Sequence, residues 1–236
     1  MTTLGERIRR LPGARRLLAS RAVAGAHSRN ESSLTVWTTG EAAAGAPKRP
    51  LILLLSPEPT TVSWLASVLA VDLDAVVAVA PGGTDVGVAL ETAIQLPTVD
   101  AAKVGVLGDG AAARDAIELC RSSDAVIRLA LVTPTFRTAP EPAPAPDEDA
   151  HVLPPTFIQS SQHSAQAELI TSLEVRLRAA GVAVRATEYT SVSDEWTRYP
   201  RFAGGASRAR TDLVAFFRRG LGTETTFSVI PGWDLS

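Results

Sequence analysis

The stretch Lys103-Val104-Gly105-Val106-Leu107-Gly108-Asp109-Gly110-Ala111-Ala112-Ala113 decides how this chain reads. An apolar strand runs into a turn pinched by two glycines, and alanine-rich helical sequence continues to Cys120. A strand–tight turn–helix unit of this kind presents one residue at the carboxyl end of a sheet, beside a helix N-terminus.

Outward from the turn, strands alternate with helices. Towards the N-terminus, residues 34–38 read as a first strand and 49–55 as a buried central one, because the unbroken run Leu51-Ile52-Leu53-Leu54-Leu55 fits a sheet covered on both faces. Residues 62–71 read as a helix, 75–80 as a buried strand turned by Pro81-Gly82-Gly83, and 85–96 as a second helix. Towards the C-terminus, strands are expected at 125–132, 155–159 and 182–189. A helix at 164–180 stacks Leu169, Leu173 and Leu177 and ends at Gly181, and a last helix at 206–219 turns Leu213, Phe216 and Phe217 inward before Gly220 stops it. The alternation predicts an α/β fold with a doubly wound, mostly parallel sheet. One domain is expected over 31–220, with a basic, partly helical arm at 1–30 and a C-terminal tail at 221–236 that has no clear period. Within the domain, 137–154 is an extended loop of repeated prolines, alanines and acids.

With 236 residues the chain can bury one α/β core. Its 23 basic and 25 acidic residues nearly balance, which argues against nucleic acid as a partner. Cys120 is the single cysteine, so an internal disulfide and a multi-cysteine metal site are excluded, and a cytoplasmic location is expected. The longest apolar runs are strand-sized, which predicts no membrane span. Arg9-Arg10 suggests a twin-arginine signal, but Pro12, Arg15, Arg16 and Arg21 break the apolar stretch such a signal needs.

From about Pro50 to Gly220 the chain resembles the α/β hydrolases, in particular their hormone-sensitive-lipase-like branch. That branch writes its nucleophile turn Gly-Asp-Ser-Ala-Gly-Gly; here Gly108-Asp109 and Ala111 match, Gly110 stands in place of serine, and Ala112-Ala113 replace the last glycines. Leu177-Arg178-Ala179-Ala180-Gly181-Val182 and the strand ending Glu188-Tyr189 carry the second part of the likeness. The resemblance places the triad acid nearest Ser164 and the triad histidine near Asp194, thirty positions on. The histidines are His27, His151 and His163, so none follows the last catalytic strand. Where the family has the His-Gly-Gly-Gly oxyanion turn, this chain has Ser56-Pro57-Glu58-Pro59-Thr60. Prolines donate no N–H, and Glu58 adds negative charge where an anion has to form.

The resemblance thus implies a hydrolase-like frame with a reduced cap, in which Gly110, Ser164 and Asp194 mark triad positions that carry no triad chemistry. It implies a protein that holds a small apolar ligand or a protein partner; no cofactor is expected, and no metal is expected because no metal-ligand spacing is present in the sequence. The ligand-binding candidates are Ser56, Glu58, Asp109, Gly110, Ala111, His163 and Trp196. A nucleophile at such an elbow is strained, at a cost on the order of 1–3 kcal/mol, which glycine avoids. One alternative is a weak or atypical esterase, built on His163 with Ser160, Ser161 and Ser164 or on an acid–water pair. Another is dinucleotide binding, since Gly108-Asp109-Gly110-Ala111-Ala112-Ala113 also fits Gly-x-Gly-x-x-Ala between a strand and a helix. Against that, Thr133-Pro134 follow the next strand, where an acid for the ribose is required. Asp109 is expected to sit favourably at a helix N-terminus, and Trp196 to be half-buried in a solvated loop.

Overall fold

The run Leu51–Leu55 forms the middle of a strand covered on both sides, and the rest of the sheet is laid out around it. The computed structural model describes residues 22–40, 46–81, 83–136, 153–190, 192–194, 196–198 and 205–223. The sheet comprises β1 (His27–Glu31), β2 (Leu34–Thr38), β3 (Arg49–Ser56), β4 (Val76–Pro81), β5 (Val99–Asp109), β6 (Val126–Val132), β7 (Thr156–Ser161) and β8 (Val184–Tyr189). Its order is β1-β2-β4-β3-β5-β6-β7-β8. The β1–β2 and β2–β4 pairings are antiparallel, and every pairing from β4 to β8 is parallel. The α/β class and the mostly parallel sheet expected from the alternation are what the structure has.

Among the described residues, five α-helices cover the two faces: α1 (Ser63–Leu73), α2 (Val86–Ile94), α3 (Ala113–Ser122), α4 (Ala167–Ala179) and α5 (Ala206–Leu221). Alternate residues of each strand feed separate cores, as the two-residue period of a strand requires. Leu51, Leu53 and Leu55 pack with Val76 and Ala78 towards α2, α3 and α4, in a core that includes Ala116, Ile117, Leu173 and Leu177. Ile52 and Leu54 pack with Val77 and Val79 towards α1 and α5, in a core that includes Leu65, Leu69, Leu213 and Phe217. The central strand β5 is thinned on both sides. A Cβ on Gly105 would lie 2.7 Å from the Phe217 ring of α5, and one on Gly108 would lie 2.8 Å from the Ala113 Cα of α3. These two glycines let the helices close onto the strand that carries the turn.

Local signals account for the ends of several elements. The Asp85 carboxylate accepts from the backbone N–H of Gly87 and Val88, capping α2. Gly181, with φ +78°, closes α4 while the Val182 N–H returns to the Leu177 carbonyl.

Four expectations need correction. The chain from His27 to Glu31 is a strand paired to β2, so the division at residue 30 between arm and domain cuts through a hairpin. β5 starts at Val99, earlier than the apolar pattern suggests. The last helix runs through Gly220 to Leu221 and is closed by Gly222, with φ +63°. Gly220 lies against Arg128 instead, and a Cβ there, 1.9 Å from the Arg128 side chain, would require that side chain to move. Trp196 is fully buried, not half-buried. The expectations for 1–21, for 137–152 and for 224–236 lie outside the described residues. Among the described residues, no helix is long and apolar enough to cross a membrane.

Candidate functional site

The site is built at the carboxyl ends of β3, β4 and β5, where parallel strands leave their loops free of the sheet's hydrogen bonding. Gly110 sits at the turn after β5 with φ +58°, and a Cβ there would meet nothing within 4 Å. The turn is therefore left-handed and faces open space. Its carbonyl is tied down by the N–H of Thr135 at 3.0 Å. A short 3-10 turn, Gly110–Ala112, leads from it into α3.

Beneath the turn lies Asp109, 2% exposed. It stands at the N-cap of the Gly110–Ala112 turn, the place expected for it, but its side chain makes no capping bond there. Its carboxylate instead accepts from the hydroxyl of Ser56 at 3.1 Å and from that of Thr197 at 3.0 Å. Burial raises the Asp109 pKa above the ordinary carboxylate value, against the opposing pull of the Arg198 guanidinium and the two hydroxyl donors. Arg198 in turn faces Glu58, Nη1 to Oε1, at 3.7 Å. Asp109 thus joins the end of β3, the end of β5 and the segment that follows β8.

An open cleft of about 230 Å³ lies beside the turn, lined by residues that include Ser56, Pro57, Gly83, Thr84, Ala111 and Asp115. The oxyanion-type donors that such a place could offer are scarce. Pro57 and Pro59 have no N–H, and the N–H of Glu58 is directed to Ser56 Oγ at 3.3 Å.

Comparison with known proteins is informative at the level of structure. No family model matches the chain, and no curated protein matches it. Solved structures do. A hormone-sensitive lipase from a metagenome library superposes with TM-score 0.66 at 16% identity, over 87% of this chain and 90% of that one. An esterase from the bacterial hormone-sensitive lipase family gives 0.69 at 14% identity, over 89% and 91%. A Pyrobaculum calidifontis esterase gives 0.64 at 14% identity, over 87% and 88%.

The fold is that of the α/β hydrolases.

Within this α/β-hydrolase fold the sequence-derived candidates separate into two groups. Ser56 and Ala111 line the cleft; Asp109 and Gly110 form the turn beside it, with Asp109 bonded to Ser56, and Glu58 joins them through Arg198, without lining it. His163, Ser164, Asp194 and Trp196 do not line the cleft. His163 is exposed in the turn after β7, and its ring bonds to no described residue. The serines expected beside it serve that turn: Ser161 Oγ accepts from the His163 N–H, and Ser164 Oγ accepts from the Gln166 N–H. Asp194 is exposed, and Trp196 is enclosed in the core on the α1/α5 side, which removes it as a ligand contact. Thr197 and Arg198 were missed. Nothing local marks them, since Thr197 meets Asp109 across 88 positions of chain. Among the described residues no group of acids, histidines and cysteines could hold a metal ion.

Proposed function

We propose that this protein uses an α/β-hydrolase fold to bind, not to cleave, and that it holds a small molecule or a partner's side chain in the cleft between Ser56, Thr84 and Ala111. The observation that carries this reading is Gly110. At the turn where this fold presents its nucleophile stands a residue without a side chain, in the left-handed conformation that glycine adopts freely. Two further observations support it: the exposed His163 ring has no hydroxyl partner, and the turn after β3 is poor in free N–H groups. On this reading Ser164 and Asp194 stand at the acid and base positions that the resemblance implies. Acyl transfer requires a nucleophile, an imidazole to take its proton and donors for the oxyanion, and losing one such donor alone costs about 3 kcal/mol.

A second reading is favoured by the comparisons, because the matching structures are described as esterases and lipases. On it the protein is a weak hydrolase that draws on other groups. A short-chain nitrophenyl ester assay separates the two. The binding reading expects no turnover above buffer. Turnover that survives Gly110→Ala and disappears in His163→Ala establishes the hydrolase. A thermal-shift screen of fatty acids, steroids and nucleotides then searches for the ligand, since a compound bound by the native state alone raises the melting temperature.

A further inference from the structure

The crevice at the mouth of the sheet is closed by the chain's own residues. β3 leads to α1 on one face and β5 to α3 on the other, so the two strands part beyond their last pair, Leu55 and Gly108. An open α/β sheet keeps its ligand crevice at such a parting. Here the next residues on, Ser56 and Asp109, are buried together with Thr197.

What covers them is the segment after β8. Val192 and Trp196 pack into the core on the α1/α5 side, and the Trp196 backbone N–H donates to the Ser193 carbonyl at 3.1 Å. The Thr197 hydroxyl reaches Asp109 at 3.0 Å, and Arg198 reaches Glu58 at 3.7 Å. Residues 192–194 and 196–198 belong to no strand or helix. The Trp196 indole N–H is buried without a hydrogen-bond partner among the described residues, which works against closure. The segment is thus held by side chains, and it can lift without breaking the sheet.

Asp109 is the group through which solvent conditions reach this segment. Its Oδ2 accepts from the Ser56 hydroxyl and its Oδ1 from that of Thr197, so one partner lies on β3 and the other on the cover. The charged groups that face it are Arg198 and Glu58, which are opposite in sign and paired with each other. A neutral acid keeps both contacts, because its O–H donates to one hydroxyl oxygen while its other oxygen accepts from the second hydroxyl. A carboxylate also keeps them but has lost its hydration, and lifting the cover restores it. Burial accordingly raises the Asp109 pKa.

We propose that the segment after β8 is a strap over this crevice, worked by the protonation state of Asp109: closed on the neutral acid and loosened over the carboxylate, which admits water between Ser56 and Thr197. The device stands whether or not the neighbouring cleft holds a ligand. The test is hydrogen–deuterium exchange of the full chain from about pH 4 to about pH 8, each rate corrected for the intrinsic exchange rate at that pH. Protection around Trp196 should fall between the ordinary carboxylate value and the raised one, by up to about tenfold per pH unit, and level off above it. At every pH it should stay below the protection of β3 and β4, the mark of local lifting rather than unfolding. Asp109→Asn, fixed in an uncharged form, should keep its protection constant across the series. Glu58→Gln should move the fall to lower pH, since the Glu58 charge helps to raise the Asp109 value. A native profile flat in pH, a fall that persists in Asp109→Asn or stays at the native pH in Glu58→Gln, or protection equal to that of β3, overturns the proposal.

Discussion

Two glycines flank Asp109, and the structure assigns them different physical tasks, so a pair of alanine substitutions separates space from conformation. At Gly108 the added Cβ would stand 2.8 Å from Ala113 Cα, 2.8 Å from Ala116 Cβ and 3.0 Å from the Ala112 carbonyl. Carbon contacts become favourable only at roughly 3.5–4.0 Å, so α3 has to retreat by more than about half an ångström. No rotamer relieves this, since two of the three contacts are backbone. The retreat loosens Ala116, Ile117 and Cys120, all buried in the core of that face. Overpacking costs roughly 1–3 kcal/mol and occasionally more, and Gly108→Ala belongs at or above the top of that range. At Gly110 the added Cβ meets nothing, and the cost is that of a left-handed residue, about 1–2 kcal/mol. For a domain of this size each kcal/mol lowers Tm by roughly 2–4 °C. Thermal and urea melts of both variants should therefore rank Gly108→Ala clearly below Gly110→Ala, with both below the native protein. Equal losses, or a Gly110→Ala variant as stable as the native chain, would refute the geometry drawn for this turn.

Asp109 predicts a pH dependence with a definite sign. Its pKa is raised from the ordinary 3.8, so above that value the folded chain still holds a proton that the unfolded chain has released. Its contribution to stability is largest at low pH and falls as pH climbs towards the raised value, with Arg198 and Glu58 as the charges that face it. Urea midpoints of Asp109→Asn should show a gain over the native protein that grows with pH across that window; a constant difference contradicts it. Cys120 is buried, which pushes its thiol up to about 12, so a thiol reagent at neutral pH should label it only as fast as the fold opens. Rapid stoichiometric labelling of the native protein would contradict that. Trp196→Ala should cost about 3–5 kcal/mol in thermal melts, because the side chain is fully enclosed. A loss below about 1 kcal/mol would mean that the segment after β8 is not docked over Asp109.

The sheet was legible where burial leaves a signature in composition. β3 and β4 are covered on both faces, and their unbroken apolar runs announce it. β1 was not legible, because His27-Ser28-Arg29-Asn30-Glu31 is polar throughout. An exposed edge strand of this kind carries charge that discourages pairing with other chains, and no alternation remains to be read. The turn at Gly110 was legible from its glycines. The carboxylate beneath it was not, since Asp109 finds Ser56 and Thr197 at separations of 53 and 88 residues, which only the closed sheet brings together. Trp196 was misjudged for a related reason. A tryptophan within a run of acids looks solvated, yet the chain around it folds back onto the core. Gly220 and Gly222 show how two glycines in succession mislead, the first serving the close approach of Arg128 and the second ending the helix.

The central claim is that no activated hydroxyl stands at the mouth of this sheet. Exposing the folded protein to a fluorophosphonate, which forms a covalent bond with activated serine or threonine oxygens, and weighing the intact chain tests it directly. The account predicts an unchanged mass. One equivalent of adduct on a hydroxyl lining the cleft, Ser56 or Thr84, would contradict it.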